Sequence, residues 1–344
     1  MTAEAPGAPG MRDALEALAR GLADSPAFQA KRDIAAVAAC IDAAPAAVAS
    51  WRSRPERIWI GDDTAAIPDG DGYLLLAAEG ILPGFLARDP WFAGFSAVMV
   101  NVSDVAAMGG HPLAVVDVYF QSSSAPAELV VAGMRAACEA FRVPLVGGHT
   151  TRQAAGPDAL AVAILGRAEH LLTSFGARAG DDLLYAVDLR GRYREPFAFF
   201  DTATGQSSDR LCADLALLGT LAAAGAIHAC KDVSNAGVAG TALMLLEASR
   251  AGGVIDLDAL PAPAGATLER WLASFPSYGF LLAVSPERSA EVVQAVSARD
   301  LACAQIGRVD GSRSLRLARG GHEALLWDLG ARGFTGFAGA AEDR

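Results

Sequence analysis

Four short motifs carry most of the polar chemistry of this 344-residue chain, and each sets a carboxylate or its substitute beside glycine or another small residue. They are Gly61-Asp62-Asp63, Asn101-Val102-Ser103-Asp104-Val105-Ala106-Ala107-Met108-Gly109-Gly110, Gly147-Gly148-His149-Thr150 and Lys231-Asp232-Val233-Ser234-Asn235-Ala236-Gly237. Magnesium prefers hard oxygen ligands and binds through a few carboxylates plus the phosphates of its ligand. Acidic loops converging on one cleft would supply that set. Asp104 is the hardest to explain otherwise, because a carboxylate flanked by Val102, Val105 and Ala106 is costly to bury without a metal or phosphate contact.

The other motifs each have a plainer reading. Gly61-Asp62-Asp63 also fits a turn with solvated carboxylates. Gly147-Gly148 permits a tight turn, or bares backbone amides to a phosphate. His149 fits a neutral structural histidine, a phosphate donor or a general base. Lys231 either neutralises a phosphate or forms an exposed pair with Asp232. Cys230 reads as a passive apolar residue unless its pKa is depressed.

Composition narrows the partners. With 39 acidic and 28 basic residues the net charge is -11, which repels nucleic acid and anionic membranes alike. An acidic protein that handles a phosphorylated ligand needs bound cations. The five cysteines are scattered without a CxxC pair, so neither a disulfide framework nor a zinc site is indicated. No leader is evident and no run reaches the roughly 18 apolar residues of a membrane span. A cytoplasmic protein is expected.

The elements that must position the motifs follow from periodicity. Two helices are expected between Met11 and Ala49, after a loose tail at Met1 to Pro9. Two strands run from Trp59 to Ile67 and from Tyr73 to Ala78, joined by a turn at Pro68 to Gly72. Phe92 to Met108 reads as a buried helix, Leu113 to Gln121 as a strand, Ala127 to Phe141 as an amphipathic helix, and Leu160 to Leu165 as a strand. A weak stretch near Glu169 to Gly180 divides the chain into 1–170 and 171–344. The second half continues with helices at Asp209 to Ala224 and Ala239 to Arg250, strands at Gly279 to Val284 and Ala304 to Val309, and a terminal hairpin. The last residues, from Arg332, read as frayed. The class is α/β (α+β), and 52% apolar content suits two cores.

Taken together, the order and spacing of the four motifs resemble the superfamily of aminoimidazole ribonucleotide (AIR) synthetase, thiamine-monophosphate kinase, selenophosphate synthetase and the hydrogenase maturation dehydratase. Asn101 to Gly110 is similar to the Asn-Leu-Ser-Asp-x-Ala-Ala-Met-Gly segment of the kinase branch. The resemblance covers nearly the whole chain. It implies a two-domain fold whose N-terminal halves pair in a homodimer through a shared β-barrel, with ATP in a cleft held by Mg2+ on acidic loops. By that likeness Asp62, Asp63, Glu79, Asp104 and Asp232 hold metal, with Glu79 standing where relatives carry Thr-Thr-Asp. Asn101, Ser103, Gly147, Gly148, Thr150 and Lys231 contact the nucleotide, and Asp104, Asp232 and His149 act in catalysis.

Two departures bear on function. His149 and Asn235 stand where the kinase branch has carboxylates. Selenophosphate synthetase shares Gly-Gly-His-Thr, but its N-terminal Cys/Lys loop has no match in Met1 to Ala30. The resemblance thus implies an ATP- and Mg2+-dependent enzyme that activates an amide or carboxylate oxygen of a small molecule, as synthetases and dehydratases do. A small-molecule kinase, or a nucleotide-binding protein without turnover, is the alternative. Arg190 to Phe200, with three arginines and four aromatics, is a candidate for facing an anionic substrate.

Overall fold

The computed structural model describes residues 10–36, 60–122, 127–152 and 154–337. Two N-terminal helices, α1 (Met11–Ala23) and α2 (Pro26–Arg32), come first. The first sheet unit follows as β1 (Ala65–Asp69), β2 (Gly72–Ile81), α3 (Pro83–Arg88), α4 (Pro90–Ala107), β3 (His111–Gln121), α5 (Ala127–Phe141), β4 (Leu145–Arg152) and β5 (Ala159–Ala168). The second comprises β6 (Asp182–Val187), β7 (Arg192–Tyr193), β8 (Phe199–Asp201), α6 (Ser208–Ala223), β9 (Ala229–Asp232), α7 (Gly237–Ala248), β10 (Gly252–Asp256) and α8 (Leu268–Leu272). It ends with β11 (Phe275–Pro276), β12 (Gly279–Val284), α9 (Pro286–Ser297), β13 (Ala302–Asp310), β14 (Ser314–Arg319) and β15 (His322–Asp328). No helix among the described residues is long and apolar enough to cross a membrane.

The first sheet has the order β1-β2-β5-β3-β4, antiparallel except for the β3–β4 pair. It is open in the single chain, not a closed barrel. α4 starts cleanly because Asp89 accepts the Phe92 amide at 3.2 Å and Pro90 occupies the first turn. All its residues from Phe92 onward are buried, against β2, β3, β5 and the companion helix α5. The two helices pack closely because Gly94 and Gly133 face each other's backbone; a Cβ on Gly133 would lie 1.9 Å from the Trp91 carbonyl oxygen. No helix among the described residues covers the opposite face of this sheet. There Leu76, Leu113, Val116, Val118, Phe120, Val146 and Leu165 are each 36–63% exposed.

The second sheet, β15-β14-β10-β13-β6-β12-β9, is covered on both faces, and β6 and β12 are accordingly buried along their whole length. One face shares a core with the first unit, while α1 and α7 cover the other. α1 therefore packs on β14 and β15, and Phe28 of α2 joins the same core, although the division at residue 170 put both helices with the first half. Their apolar stripe, Leu15, Ala19, Leu22 and Phe28, joins a core with Trp327 and Phe334.

The expectation of fraying from Arg332 is corrected up to residue 337. Glu247 on α7 accepts the amides of Phe334 at 2.7 Å and Thr335 at 2.6 Å, together with the Thr335 hydroxyl at 2.6 Å. A buried carboxylate with several donors fixes the chain firmly, so this segment is a wall and not a tail. The expected tail at Met1 to Pro9, the helix beyond residue 36 and the strand residue Trp59 lie outside the described residues; the strand expected from there to Ile67 is corrected, since residues 60–64 form bends and β1 starts only at Ala65.

Candidate functional site

Asp63 is delivered by the bend just before β1, Asp104 by the last turn of α4, and Asp232 by the end of β9. Three elements remote in sequence thus meet: one carboxylate oxygen from each lies within 4.8 Å of the other two. The bend at Asp63 is set by Gly61, whose φ of +102° favours glycine and whose missing Cβ leaves room for the Phe337 ring. The turn after Asp232 passes through Ala236 at φ +81°, a strained value for alanine, before α7 begins.

The carboxylates are paired unequally. Asp62 accepts the Ser174 amide at 2.8 Å and the Ser174 hydroxyl at 2.7 Å, so it is committed to holding the loop. Asp63 accepts a short contact from Lys231 Nζ and the Asp232 amide at 3.1 Å. Asp104 Oδ2 is buried with no hydrogen-bond partner among the described residues. Burial, then repulsion from Asp232 and Asp63, drives the Asp104 pKa well above the usual carboxylate range. Burial and Asp63 push Asp232 up to about 8, and burial raises Asp62 to about 6 against the pull of Lys231. Burial alone would lower Lys231, but Asp63, Asp62 and Asp232 together raise it. A divalent cation suits this donor set: hard oxygens, excess negative charge and one orphaned oxygen.

These groups form one end of a cavity of about 430 Å³, within the usual range for a small-molecule site. Glu79 stands at its exposed rim. Lys31 lines it from α2 and donates to Ser234 Oγ at 3.0 Å. Burial lowers the Lys31 pKa, while Asp232 opposes the shift. Lys31 and Lys231 are the only lysines of the sequence, the other 26 basic residues being arginines, and both face this cavity.

The cavity gathers Asp62, Asp63, Glu79, Asp104, Lys231 and Asp232 from the residues expected by sequence. Lys231 corrects the exposed-pair reading, being 5% exposed and bonded to Asp63. Asn101 and Ser103 are buried on α4 but do not line the cavity; Asn101 Nδ2 donates to the carbonyls of Ala97 and Val162, tying the helix to β5. Gly147, Gly148, His149 and Thr150 lie on the edge strand β4, also away from it, and His149 contacts Thr151 Oγ1 at 2.8 Å beside the Phe120 ring. Their glycines serve a strand: a Cβ on Gly148 would lie 2.1 Å from Asp117 Oδ1. Asn235 lines the cavity and uses Oδ1 to accept the Ala236 amide at 3.2 Å. Cys230 is fully buried, and burial raises its pKa well above the usual thiol range, so it is no nucleophile.

The reading of the segment Arg190 to Phe200 is corrected in part. Arg190 pairs with Asp188 and Arg194 with Asp201, so neither guanidinium is free for a substrate, and no arginine of the segment lines the cavity, whereas Phe199 and Phe200 do. Reading the sequence missed Lys31 and the aromatic residues Phe85, Phe92 and Phe275, whereas Ser234 lay in the fourth motif and Phe199 in the segment Arg190 to Phe200. The placement of Lys31 had one visible signal, the near absence of lysine elsewhere.

These pKa shifts predict a pH dependence. A carboxyl raised in the folded state holds a proton that the unfolded chain releases, so the folded state is favoured at low pH and stability falls as pH rises. For Asp62 and Asp232 the window runs from the ordinary value of 3.8 up through about 6 and about 8. The melting temperature in EDTA should decline from pH 5 to pH 8.5, and Mg2+ should flatten the decline. A flat profile in EDTA would contradict the assigned repulsion.

Comparison with known proteins gives the family and the fold. Residues 61–168 match the family model "AIR synthase related protein, N-terminal domain", and residues 208–319 match its C-terminal counterpart. An uncharacterized protein of Synechocystis sp. is 48% identical over 285 residues, covering 83% of this chain and 88% of its own. A thiamine-monophosphate kinase of Halobacterium salinarum is 29% identical, covering 66% of this chain and 81% of its own. T. maritima PurL complexed with ATP superposes with a TM-score of 0.66 at 18% identity, which shows likeness of fold; the match covers 82% of this chain and 48% of that one.

Proposed function

The chain belongs to the AIR synthase related family, and on that premise we propose that it binds a magnesium nucleoside triphosphate and transfers the γ-phosphoryl group to an oxygen of a small substrate. One observation carries the reading: Asp63, Asp104 and Asp232 converge, and Asp104 keeps a buried oxygen without a partner. These three would hold magnesium, with Glu79 at the rim; the ion would neutralise triphosphate charge. Lys31 and Lys231 would meet the phosphates as compact point charges. Asp62 supports the loop that carries Asp63.

In the transfer, a substrate amide or carboxylate oxygen bonds to the γ-phosphorus while the bond to the β,γ-bridging oxygen breaks and its electron pair leaves on the nucleoside diphosphate. A nitrogen nucleophile then displaces phosphate from the activated carbon, or an amide sheds phosphate and a proton to give a nitrile. The similarity to a thiamine-monophosphate kinase favours a second reading, in which the phosphate stays on the product. Asn235, occupied with its own loop where that branch has a carboxylate, favours a third, binding without turnover.

Titration calorimetry with the ATP analogue AMPPCP tests the common part. Binding that requires Mg2+ is expected; equal binding in EDTA would overturn it. ADP release that depends on a substrate excludes the third reading, and phosphate assay against phosphorylated product separates the first two.

The face of the first sheet that no described helix covers supports a homodimer. Seven large apolar side chains stand exposed there, and an open sheet of this kind closes into a barrel when a second copy covers it. β4 belongs to this sheet, so Gly147 to Thr150 would reach a nucleotide only as part of that pair. Val118→Asp is expected to convert a dimer into a monomer in sedimentation velocity; a wild-type monomer at micromolar concentration would refute the pairing.

A further inference from the structure

The end of the cavity opposite the carboxylates is built differently. Phe85 on α3, Phe92 on α4, Phe199 on β8 and Phe275 on β11 line it, with Ile81 and Met99 beside them. The rings brace one another edge to face: Phe85 and Phe199 at 4.7 Å, Phe199 and Phe275 at 5.6 Å, Phe85 and Phe92 at 5.9 Å. The wall is therefore preformed, and aromatic pairs of this geometry favour a further flat ring among them.

Charge is distributed with equal consistency. Among the described residues that line the cavity, the cations are Lys31 and Lys231, and both belong to the acidic end. The nearest arginine to the aromatic wall, Arg194, packs its guanidinium 4.1 Å from the centre of the Phe92 ring. It is consumed by Asp201 at 2.8 Å, Thr204 at 3.2 Å and Asp89 at 3.7 Å, and it does not line the cavity. A phosphate or sulfate at this end would lose its water without gaining a counter-charge.

We propose that the acceptor is a neutral aromatic compound, whose ring lies against Phe85, Phe199 and Phe275 and whose reactive oxygen points toward Asp63, Asp104 and Asp232. This rests on the phosphoryl-transfer reading of the same site and names the substrate class for it. The acceptor thereby differs from the phosphorylated compound in the name of the relative from Halobacterium salinarum. Specificity of this kind comes from exclusion: the wall offers apolar contact to many rings and penalises any charge carried into it.

The test uses the whole protein and four small compounds, phenol, benzamide, phenyl phosphate and ribose 5-phosphate, followed by saturation-transfer NMR with and without Mg2+ and AMPPCP. Phenol and benzamide are expected to bind at least tenfold more tightly than either phosphate ester, and to bind without displacing AMPPCP. Phe199→Ala and Phe275→Ala should each weaken benzamide about tenfold, the pair guarding against one variant failing to fold. Preference for a phosphate ester, or no binding of the neutral rings, would overturn the proposal. Displacement of AMPPCP by phenol would also overturn it, by giving the wall to the nucleotide base. Because the series is run without nucleotide as well, loss of Mg2+-dependent AMPPCP binding sinks the phosphoryl-transfer reading separately and leaves the ring preference decided on its own data.

Discussion

Asp104→Asn should weaken Mg2+-dependent nucleotide binding while making the metal-free protein more stable. The carboxylate sits on a buried helix, with one oxygen unpaired and two further carboxylates within reach. Asparagine keeps the shape, removes the charge and offers an N–H to Asp63 or Asp232. Relieving a buried, unsatisfied group is worth about 1–3 kcal/mol, or several degrees in melting temperature. Losing a metal ligand should cost roughly 100-fold in affinity for the magnesium nucleotide, about 2.7 kcal/mol. Calorimetry and thermal denaturation in EDTA read the two effects independently. A variant that binds AMPPCP normally, or melts lower than the parent, would show that Asp104 is a packing residue.

Lys231→Met should do the reverse to stability. Lys231 is the buried cation that holds Asp63 and lies 4.0 Å from Asp62, so its loss leaves two carboxylates facing each other in a closed site. Breaking a buried pair from one side typically costs about 3–5 kcal/mol. The loss should be deepest near pH 8 and shrink toward pH 5, because protonation of Asp62 and Asp232 removes the repulsion that lysine had balanced. Mg2+ should restore part of the melting temperature. If the variant melts with the parent at both pH values, the carboxylates are balanced by something else. Opposite signs for two changes in one cavity make the pair diagnostic, since a general packing defect would lower both.

Local sequence carried most of the elements because their signals are local. The buried helix announced itself through uninterrupted small and apolar residues, and the hairpin of β1 and β2 through its Pro68-to-Gly72 turn. The division of the cores was less visible. The helix α1 has an apolar stripe that any face could accept, and only the folded chain shows that β14 and β15 receive it.

The site was legible where chemistry conflicted with environment. Asp104 could be singled out because a carboxylate among valines demands a partner. Asn101, one turn earlier on the same helix, looked equally polar; its amide donates to two backbone carbonyls, while its own Oδ1, like Asp104 Oδ2, is buried without a partner among the described residues, but it does not line the cavity. The aromatic wall was legible only through Phe199, within the segment Arg190 to Phe200, since phenylalanines in two short strands and two helices have no spacing in common. The motif at Gly147 matched the family order, yet β4 turns out to be an edge strand, and a single chain does not bring it to the carboxylates.

The scarcity of lysine gives this molecule a built-in reporter. A reagent that acylates amines finds two side chains in the whole sequence, and both line the cavity. Lys31, with its lowered pKa, is the better nucleophile of the two, whereas Lys231 is held as a cation by Asp63. Acylation located to Lys31 and Lys231 by peptide mass spectrometry, with the α-amino group counted apart, therefore reports how many cavities are occupied, with no tag to install and 26 arginines that stay silent.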